Sequence, residues 1–464
     1  MAAADRRDLT SGSVRGHLAR LGLPMTLGIV GVLSISLADA YFLGRLGTGP
    51  QAAISYTFGV VLTLQSLGIG LSAGAASVVS RALGEERGEE TGGGGRTRRL
   101  ATDSLVLAVL IVAALTALGL LLVRPLFVLL GAEGAVLEDI LAYMRIWFFG
   151  LPFLVVPMVA NGLIRANGDA VAPSAIMVGA ALVNVALDPL LIFGLGPFPR
   201  LEIEGAAWAS LISRAVTFVA ALGVLIWRER LLTAALPSAA DLLSSWREVL
   251  AVGAPAALST SVNPFAITVV TGVLSRFGPE TVAAFGVGTR IEALACVPLL
   301  ALSSAIGPVA GQNWGRGQTD RVRAALGNAF AFSAGWCVLL GLVFWLLGPQ
   351  VASLFASEAA VTEGVARYLR IVGVSLAGYG VIVTASAAFN ATGRALQGLG
   401  MTSLRSLALY VPLAGLGALV GPPWAAFAGI AAANAVSGGI VAWWALARTP
   451  ARRGEAARAK DAFA

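Results

Sequence analysis

The chain has 464 residues, 57% of them hydrophobic and only 12% charged, with a mean hydropathy of +0.83. That composition excludes a soluble globular domain and a disordered chain, and describes a polytopic membrane protein whose first partner is the lipid bilayer. The net charge of +7 is not arranged as a basic face interleaved with aromatics, so no nucleic-acid partner is expected.

Apolar stretches long enough to cross about 30 Å of hydrocarbon recur at 22–43, 52–80, 100–123, 139–164, 171–195, 205–227, 249–275, 281–311, 324–347, 365–390, 399–420 and 424–447. Twelve spans are therefore expected. Arg and Lys crowd the N-terminal tail (Arg6, Arg7, Arg15, Arg20), the loop Arg81–Arg99, the segment Arg228–Arg247, the loop Arg316–Arg323, the pair Arg394 and Arg405, and the tail Arg448–Lys460. The opposite loops hold Arg45, Arg124, Arg200 and Arg276. By the positive-inside rule both termini are cytoplasmic, in a multi-pass protein of the cell inner membrane.

Ala38-Asp39-Ala40 imitates a signal-peptide cleavage site, but the apolar run before it is too long for a typical signal core, so it reads as the first span. Cys296 and Cys337 fall within spans and the single histidine, His17, lies in the N-terminal tail, which indicates neither a disulfide framework nor a metal cluster.

The two halves of the chain repeat each other. Aligned at one spacing, Arg45 meets Arg276, Gly47 meets Gly278, Ala52-Ala53 meets Ala283-Ala284 and Gly84 meets Gly315. At a slightly shorter spacing Arg98 meets Arg323, Tyr143 meets Tyr368, Arg145-Ile146 meets Arg370-Ile371 and Gly168 meets Gly393. The difference is about the length of the flexible insertion Glu90–Gly95. With six spans per copy, both copies enter the membrane in the same direction. The expected fold is all-α and integral to the membrane: twelve transmembrane helices in two parallel six-helix bundles related by a pseudo-two-fold axis along the membrane normal. The layout is an N-terminal bundle at 1–227, a cytoplasmic connector at 228–248 suited to a short amphipathic surface helix, a C-terminal bundle at 249–448 and a basic cytoplasmic tail at 449–464.

Two carboxylates interrupt this apolar pattern, Asp39 in SISLADAYFLG and Asp188 in NVALDPLLIFG. A charge at a helix centre costs about 2.5–3.5 kcal/mol on the insertion scale and usually marks an ion or substrate pathway. In the second copy their counterparts are Val270 and Val411, so helix packing alone does not require the acids. Both lie about 25 Å from the cytoplasmic start of their spans. Asn184 precedes Asp188 by one turn on the same face. Tyr143 stands at a height to donate a hydrogen bond to a carboxylate or to join an interfacial belt, and Pro24 and Pro189 offer places where helices bend. Two carboxylates close together in a low dielectric cannot both ionise cheaply, which makes the pair a proton-binding device. The same oxygens, with the Asn184 carbonyl and a hydroxyl, also suit Na⁺, so the coupling ion is H⁺ or Na⁺ and no other cofactor or metal is expected. Gln65, Asn263 and Asn390 are polar groups that line a cavity or tie helices together. Glu292 lies two residues from Arg290, hence on a different helix face, and is expected to contact another helix or the cavity wall.

With these features in place, the chain resembles the multidrug and toxic compound extrusion family, from LGLPMTLGIVGVLSISLADAYFLGRLG through VNVALDPLLIFGLG and IEGAAWAS to the twelfth span. Its acids resemble those of the branch typified by the DNA-damage-inducible F protein, whose cation site lies in the N-terminal bundle. The resemblance implies that protonation of Asp39 accompanies bending of the first helix at Pro24, and that Asn184, Asp188, Tyr143 and Ser210 complete the cation site. It also implies a matching asparagine at Asn161, nearer the cytoplasmic end. The sodium-pumping branch carries acids in its seventh and tenth helices, and here those spans contain no Asp or Glu. The implied activity is antiport by a monomer: export of amphiphilic, often cationic drugs or toxic metabolites in exchange for a proton. A flippase of the same superfamily, handling lipid-linked oligosaccharide or peptidoglycan precursors, is the alternative that Arg214 and Arg290 keep open. An intramembrane aspartyl protease, the rival that would be an enzyme, lacks its tyrosine-aspartate and Gly-x-Gly-Asp contexts here.

Overall fold

The computed structural model describes residues 8–44, 48–87, 95–234 and 238–449. Arg6, Arg7, Arg45, Gly47, most of the insertion at 90–95 and the basic tail from residue 450 lie outside the described residues. Among those described there is no strand. In chain order the helices are α1 (Val14–Gly44), α2 (Thr48–Glu86), α3 (Gly95–Leu129), α4 (Gly134–Phe149), α5 (Leu151–Ala166), α6 (Val171–Phe193), α7 (Glu202–Gly223), α8 (Ala239–Leu274), α9 (Pro279–Ala295), α10 (Val297–Gly315), α11 (Thr319–Ser353), α12 (Ala359–Val372), α13 (Leu376–Ala391), α14 (Ala395–Ser403), α15 (Val411–Val420) and α16 (Pro423–Ala447).

Among the described residues ten stretches are each long and apolar enough to cross a membrane, and two bent pairs, each counted as one span, bring the crossings to twelve. The pair α4 and α5 bends by 41° and the pair α9 and α10 by 46°. In both, a proline (Pro152, Pro298) stands in the first turn of the second helix, where its missing N–H and fixed φ let a new helix start at an angle. The eleventh crossing contains a wide π turn, Leu404–Tyr410, immediately before Pro412. A proline excludes the carbonyl four residues back, and widening the turn relieves that clash.

Two expectations are corrected here. The connector forms no separate surface helix among the described residues: α8 starts at Ala239 and continues to Leu274. Ser238 and Asp241 close its first turn reciprocally, with the Asp241 N–H donating to Ser238 Oγ at 3.2 Å and the Ser238 hydroxyl donating to Asp241 Oδ2 at 2.9 Å, and no glycine or proline interrupts the sequence between them and Gly253. Arg405, counted above among the cytoplasmic charges, is 3% exposed inside the π turn.

The chain gathers into two compact units, one from the chain up to Leu23 together with that from Leu258 onward, the other from Pro24 to Ala257. The boundaries fall inside α1 and α8. In the first unit the segment before α1 is fastened to α10 and α11: the Leu9 N–H donates to Gln312 Oε1 at 3.2 Å, Asn313 Nδ2 donates to the Leu9 carbonyl at 2.9 Å, and Arg321 donates to the carbonyls of Leu9, Ser11 and Gly12. In the second unit the start of α8 is held by α3, through Trp246 Nε1 donating to the Asp103 carbonyl at 3.0 Å and an Arg99–Asp241 ion pair at 3.5 Å. Each unit has its own apolar core, one around Leu141, Met144 and Leu163, the other around Phe285, Leu299 and Tyr368. Val270 and Val411, the counterparts of the two aspartates, belong to that second core.

Candidate functional site

The residues predicted for cation coupling all lie in the unit Pro24–Ala257. Their register is set by small side chains. A β-carbon at Gly28 would stand 3.1 Å from Ser174 Cα, and one at Gly31 would stand 3.3 Å from Val178 Cα. The Ser174 hydroxyl reaches Met25 Sδ at 3.4 Å. These contacts rise together along both helices, so α1 and α6 run parallel and in close touch. Continued for two more turns, the same register brings Asp39 level with Asp188.

The start of α6 is pinned by Asp169, whose Oδ1 accepts from the N–H groups of Val171 (2.9 Å) and Ala172 (3.1 Å) while Oδ2 pairs with Arg228 at 2.7 Å. Capping by a carboxylate at a helix N-terminus suits the macrodipole. Helix α7 returns antiparallel to α6, held where the Ser213 hydroxyl donates to the Ala180 carbonyl at 2.7 Å and where the Leu201 N–H donates to the Leu191 carbonyl at 3.0 Å. Between those two bonds the register sets Ser210 at the height of Asn184.

The carboxyl groups of Asp39 and Asp188 come within hydrogen-bonding reach of each other, and Tyr143 lies within Coulombic reach of both. Asp188 and Asn184 are fully buried. Neither carboxylate oxygen of Asp188, nor the amide oxygen or nitrogen of Asn184, has a hydrogen-bond partner among the described residues. Two facing carboxylates lack a donor between them unless one holds a proton. An orphaned carbonyl and carboxylate at one helix face are equally the donor set of a hard cation, so these residues fit H⁺ and Na⁺ alike. No cluster of three or more His, Cys, Asp or Glu occurs among the described residues.

Other predicted residues sit elsewhere. Asn161 is buried on α5 with its Oδ1 unpaired, beside Gly162, which packs on Ser72. Gln65 is half-buried on α2. Asn263 and Asn390 belong to the other unit: Asn263 accepts from Arg405 Nη1 at 2.8 Å, and Asn390 packs against Gly398. Pro24 lies within continuous α1. Glu292 meets the contact expected of it, accepting from the Tyr368 hydroxyl.

Arg214 of α7 is the site residue that sequence reasoning left unassigned. It lies within Coulombic reach of Asp39 and Tyr143, with its guanidinium carbon 5.2 Å from the centre of the Trp147 ring. The signal was present in the sequence as a charge in the middle of an apolar span, but nothing in the linear pattern says which helix it faces.

A long-helix membrane fold with a carboxylate pair inside one bundle fits a transporter, and the comparisons with known proteins show that class. A family model described as MatE matches residues 24–190 and 255–416. A protein of Shewanella oneidensis named FAD transporter is 37% identical over 416 residues, covering 90% of this chain and 91% of its own length. The probable multidrug resistance protein YpnP of Bacillus subtilis is 26% identical over 416 residues, covering 88% and 89%. The crystal structure of the Vibrio cholerae MATE transporter VcmN in the bent form superposes with a TM-score of 0.86 at 28% identity, covering 94% of this chain and 97% of that one. The chain belongs to the MatE family of membrane transporters.

Proposed function

We propose that this transporter is a proton-coupled exporter of amphiphilic organic compounds, working as a monomer in the cytoplasmic membrane with both termini inside. The observation that carries the reading is the Asp39–Asp188 pair, held in reach by the α1–α6 register and backed by the orphaned Asn184 amide. Facing the cytoplasm, the ionised pair accompanies loading. Facing outward, a proton taken up by the pair removes one negative charge, α1 yields at Pro24, and the changed cavity releases its cargo. A ligand shifts such an exchange only through unequal affinity for the two states, and a proton on a low-dielectric carboxylate is a strong source of inequality.

The cargo has two readings. Amphiphilic cations are supported by relatives named for multidrug resistance and by a cluster in which two carboxylates outnumber one guanidinium. A flavin dinucleotide is supported by the Shewanella relative and by Arg214, which gives the cluster a cation. The test reconstitutes the protein in vesicles, imposes a proton gradient or a sodium gradient separately, and follows ethidium and FAD. Proton-driven movement of either cargo, lost in Asp39→Asn and strongly reduced in Asp188→Asn, is the expected result. Transport by both variants at the wild-type rate, or movement driven by sodium alone, sinks the proton-coupling assignment.

A further inference from the structure

Arg214 stands about 18 Å along α7 from its start at Glu202, close to the middle of a bilayer. A guanidinium at that depth is costly, and such residues are kept for a ligand, an ion path or a protein partner. Among the described residues no partner of hydrogen-bonding or ion-pairing kind is found: no carboxylate oxygen comes within 4.0 Å of its nitrogens. Its side chain is half-buried, so its donors are reachable from one side, while the Trp147 indole, itself 3% exposed, backs the other. The Ser213–Ala180 bond one residue earlier fixes this stretch of α7 against α6, so the guanidinium is presented by a rigid element and not by a loop.

A planar fork of N–H donors, stacked on an aromatic ring, with Asp39 and Tyr143 acting on it through charge alone and no hydrogen bond to a described residue, matches a phosphate or carboxylate. A lipid headgroup phosphate stays at the membrane surface, and at this depth the anionic group has to arrive on a cargo molecule. We propose that Arg214 is the substrate-recognition residue of this transporter and that its preferred cargo is an organic compound carrying a phosphate or carboxylate, docked by that group on the guanidinium. The inference rests on the exporter reading and selects between its two cargo classes.

Three flavins that share one ring system and differ in phosphate supply the test: riboflavin has none, FMN one and FAD two. Flavin fluorescence with the full-length protein in detergent gives each affinity. The wild type is expected to bind FMN and FAD at least tenfold more tightly than riboflavin. Arg214→Gln is expected to bring the three within about twofold of one another with riboflavin affinity unchanged, and Arg214→Lys to keep most of the preference. A general loss of packing would weaken riboflavin as well, so the ratio reports recognition and not folding. Should Arg214→Gln not fold, inorganic pyrophosphate added to wild type serves instead, displacing FMN while leaving riboflavin bound. A wild type with no preference for phosphorylated flavins, a preference that survives in Arg214→Gln, or pyrophosphate that displaces neither ligand overturns the proposal. Failure of the coupling reading has a different signature, since Asp39→Asn would then transport normally while these ratios held.

Discussion

Asp39 and Asp188 act as one proton-holding unit if their carboxyls are as close as the α1–α6 register makes them, and a double-variant cycle measures whether they do. At a hydrogen-bonding separation of about 3 Å, two full charges repel by roughly 5 kcal/mol at an effective dielectric of 20. The pair therefore takes up and gives back one shared proton in each cycle, and neither carboxylate alone reproduces that behaviour. Asp39→Asn and Asp188→Asn each keep the side-chain shape and remove one charge. Each is expected to lower proton-driven export by about 100-fold, some 2.8 kcal/mol at 1.4 kcal/mol per factor of ten. The double variant is expected to be no worse than the weaker single one, because groups acting as a unit lose their function together. Initial rates of substrate exit and of lumenal acidification, read in the same proteoliposomes with protein amount matched, give the three values. Losses that multiply, with the double variant near 10,000-fold down, would refute the shared-proton reasoning by showing two independent sites.

The sign of pH dependence separates the two cargo classes. Protonating the pair removes negative charge beside Arg214, so at fixed conformation acidification tightens an anionic ligand and weakens a cationic one, by reciprocal linkage. FMN affinity in detergent is expected to rise by about tenfold as the pair takes up its proton and ethidium affinity to fall; parallel slopes contradict this. Gly31→Leu sets a side chain against Val178 Cα, to which a β-carbon alone would stand at 3.3 Å. Overpacking of this kind costs about 1–3 kcal/mol, and pushing α1 off α6 separates the carboxyls, so export should drop at least tenfold, whereas Gly335→Leu, whose β-carbon meets nothing within 4 Å, should export normally. Arg405→Met removes the donor from Asn263 Oδ1 and Asn434 Oδ1 and strips Glu292 of its nearby cation. Removing one member of a buried charge network costs about 3–5 kcal/mol; the expected result is a lower thermal midpoint with the proton dependence of export unchanged, and a shift in that dependence would give the network a coupling role.

Hydropathy and the internal repeat made the twelve crossings legible, because a span needs only a sufficient apolar length. Breaks were less so. Pro24, Pro125, Pro157, Pro189, Pro308 and Pro349 all lie inside continuous helices, whereas Pro152 and Pro298 begin new ones. A proline removes the same donor in each case, and whether the helix bends or absorbs the loss depends on what packs beside it, which no local pattern encodes. The carboxylates were readable because charge is improbable in a span, and because the second copy supplies valines at the same places. The arginines were not. Arg405 lies near the end of an apolar stretch and reads as a loop cation, yet Asn263, Asn434 and the rings of Tyr379 and Tyr410 enclose it. Those partners come from three other helices and from its own, and only the fold assembles them.

Two buried polar clusters, one in each unit, solve the problem of buried polarity in opposite ways, and the difference argues for where an ion would bind. In one, Arg405 Nε donates to Asn434 Oδ1 at 2.8 Å, Asn434 Nδ2 donates to Ser375 Oγ at 3.2 Å, and Tyr368 donates to Glu292. Gly288 makes room for that tyrosine, since a β-carbon there would stand 2.5 Å from its ring. A network with its members paired is rigid and has little reason to exchange a proton. In the other, Asp188 and Asn184 are as deeply buried but leave all of their polar side-chain atoms unpaired. Buried polar groups without partners are costly, so a chain retains them where an ion that comes and goes completes the shell. Tyr143 and Tyr368 occupy matching places in the repeat. One stands beside a pair of carboxylates lacking a donor, the other is committed to a single glutamate. The members of the Arg405 cluster are paired with one another, whereas the Asp188–Asn184 face is not, and that contrast makes the second the candidate for binding an ion.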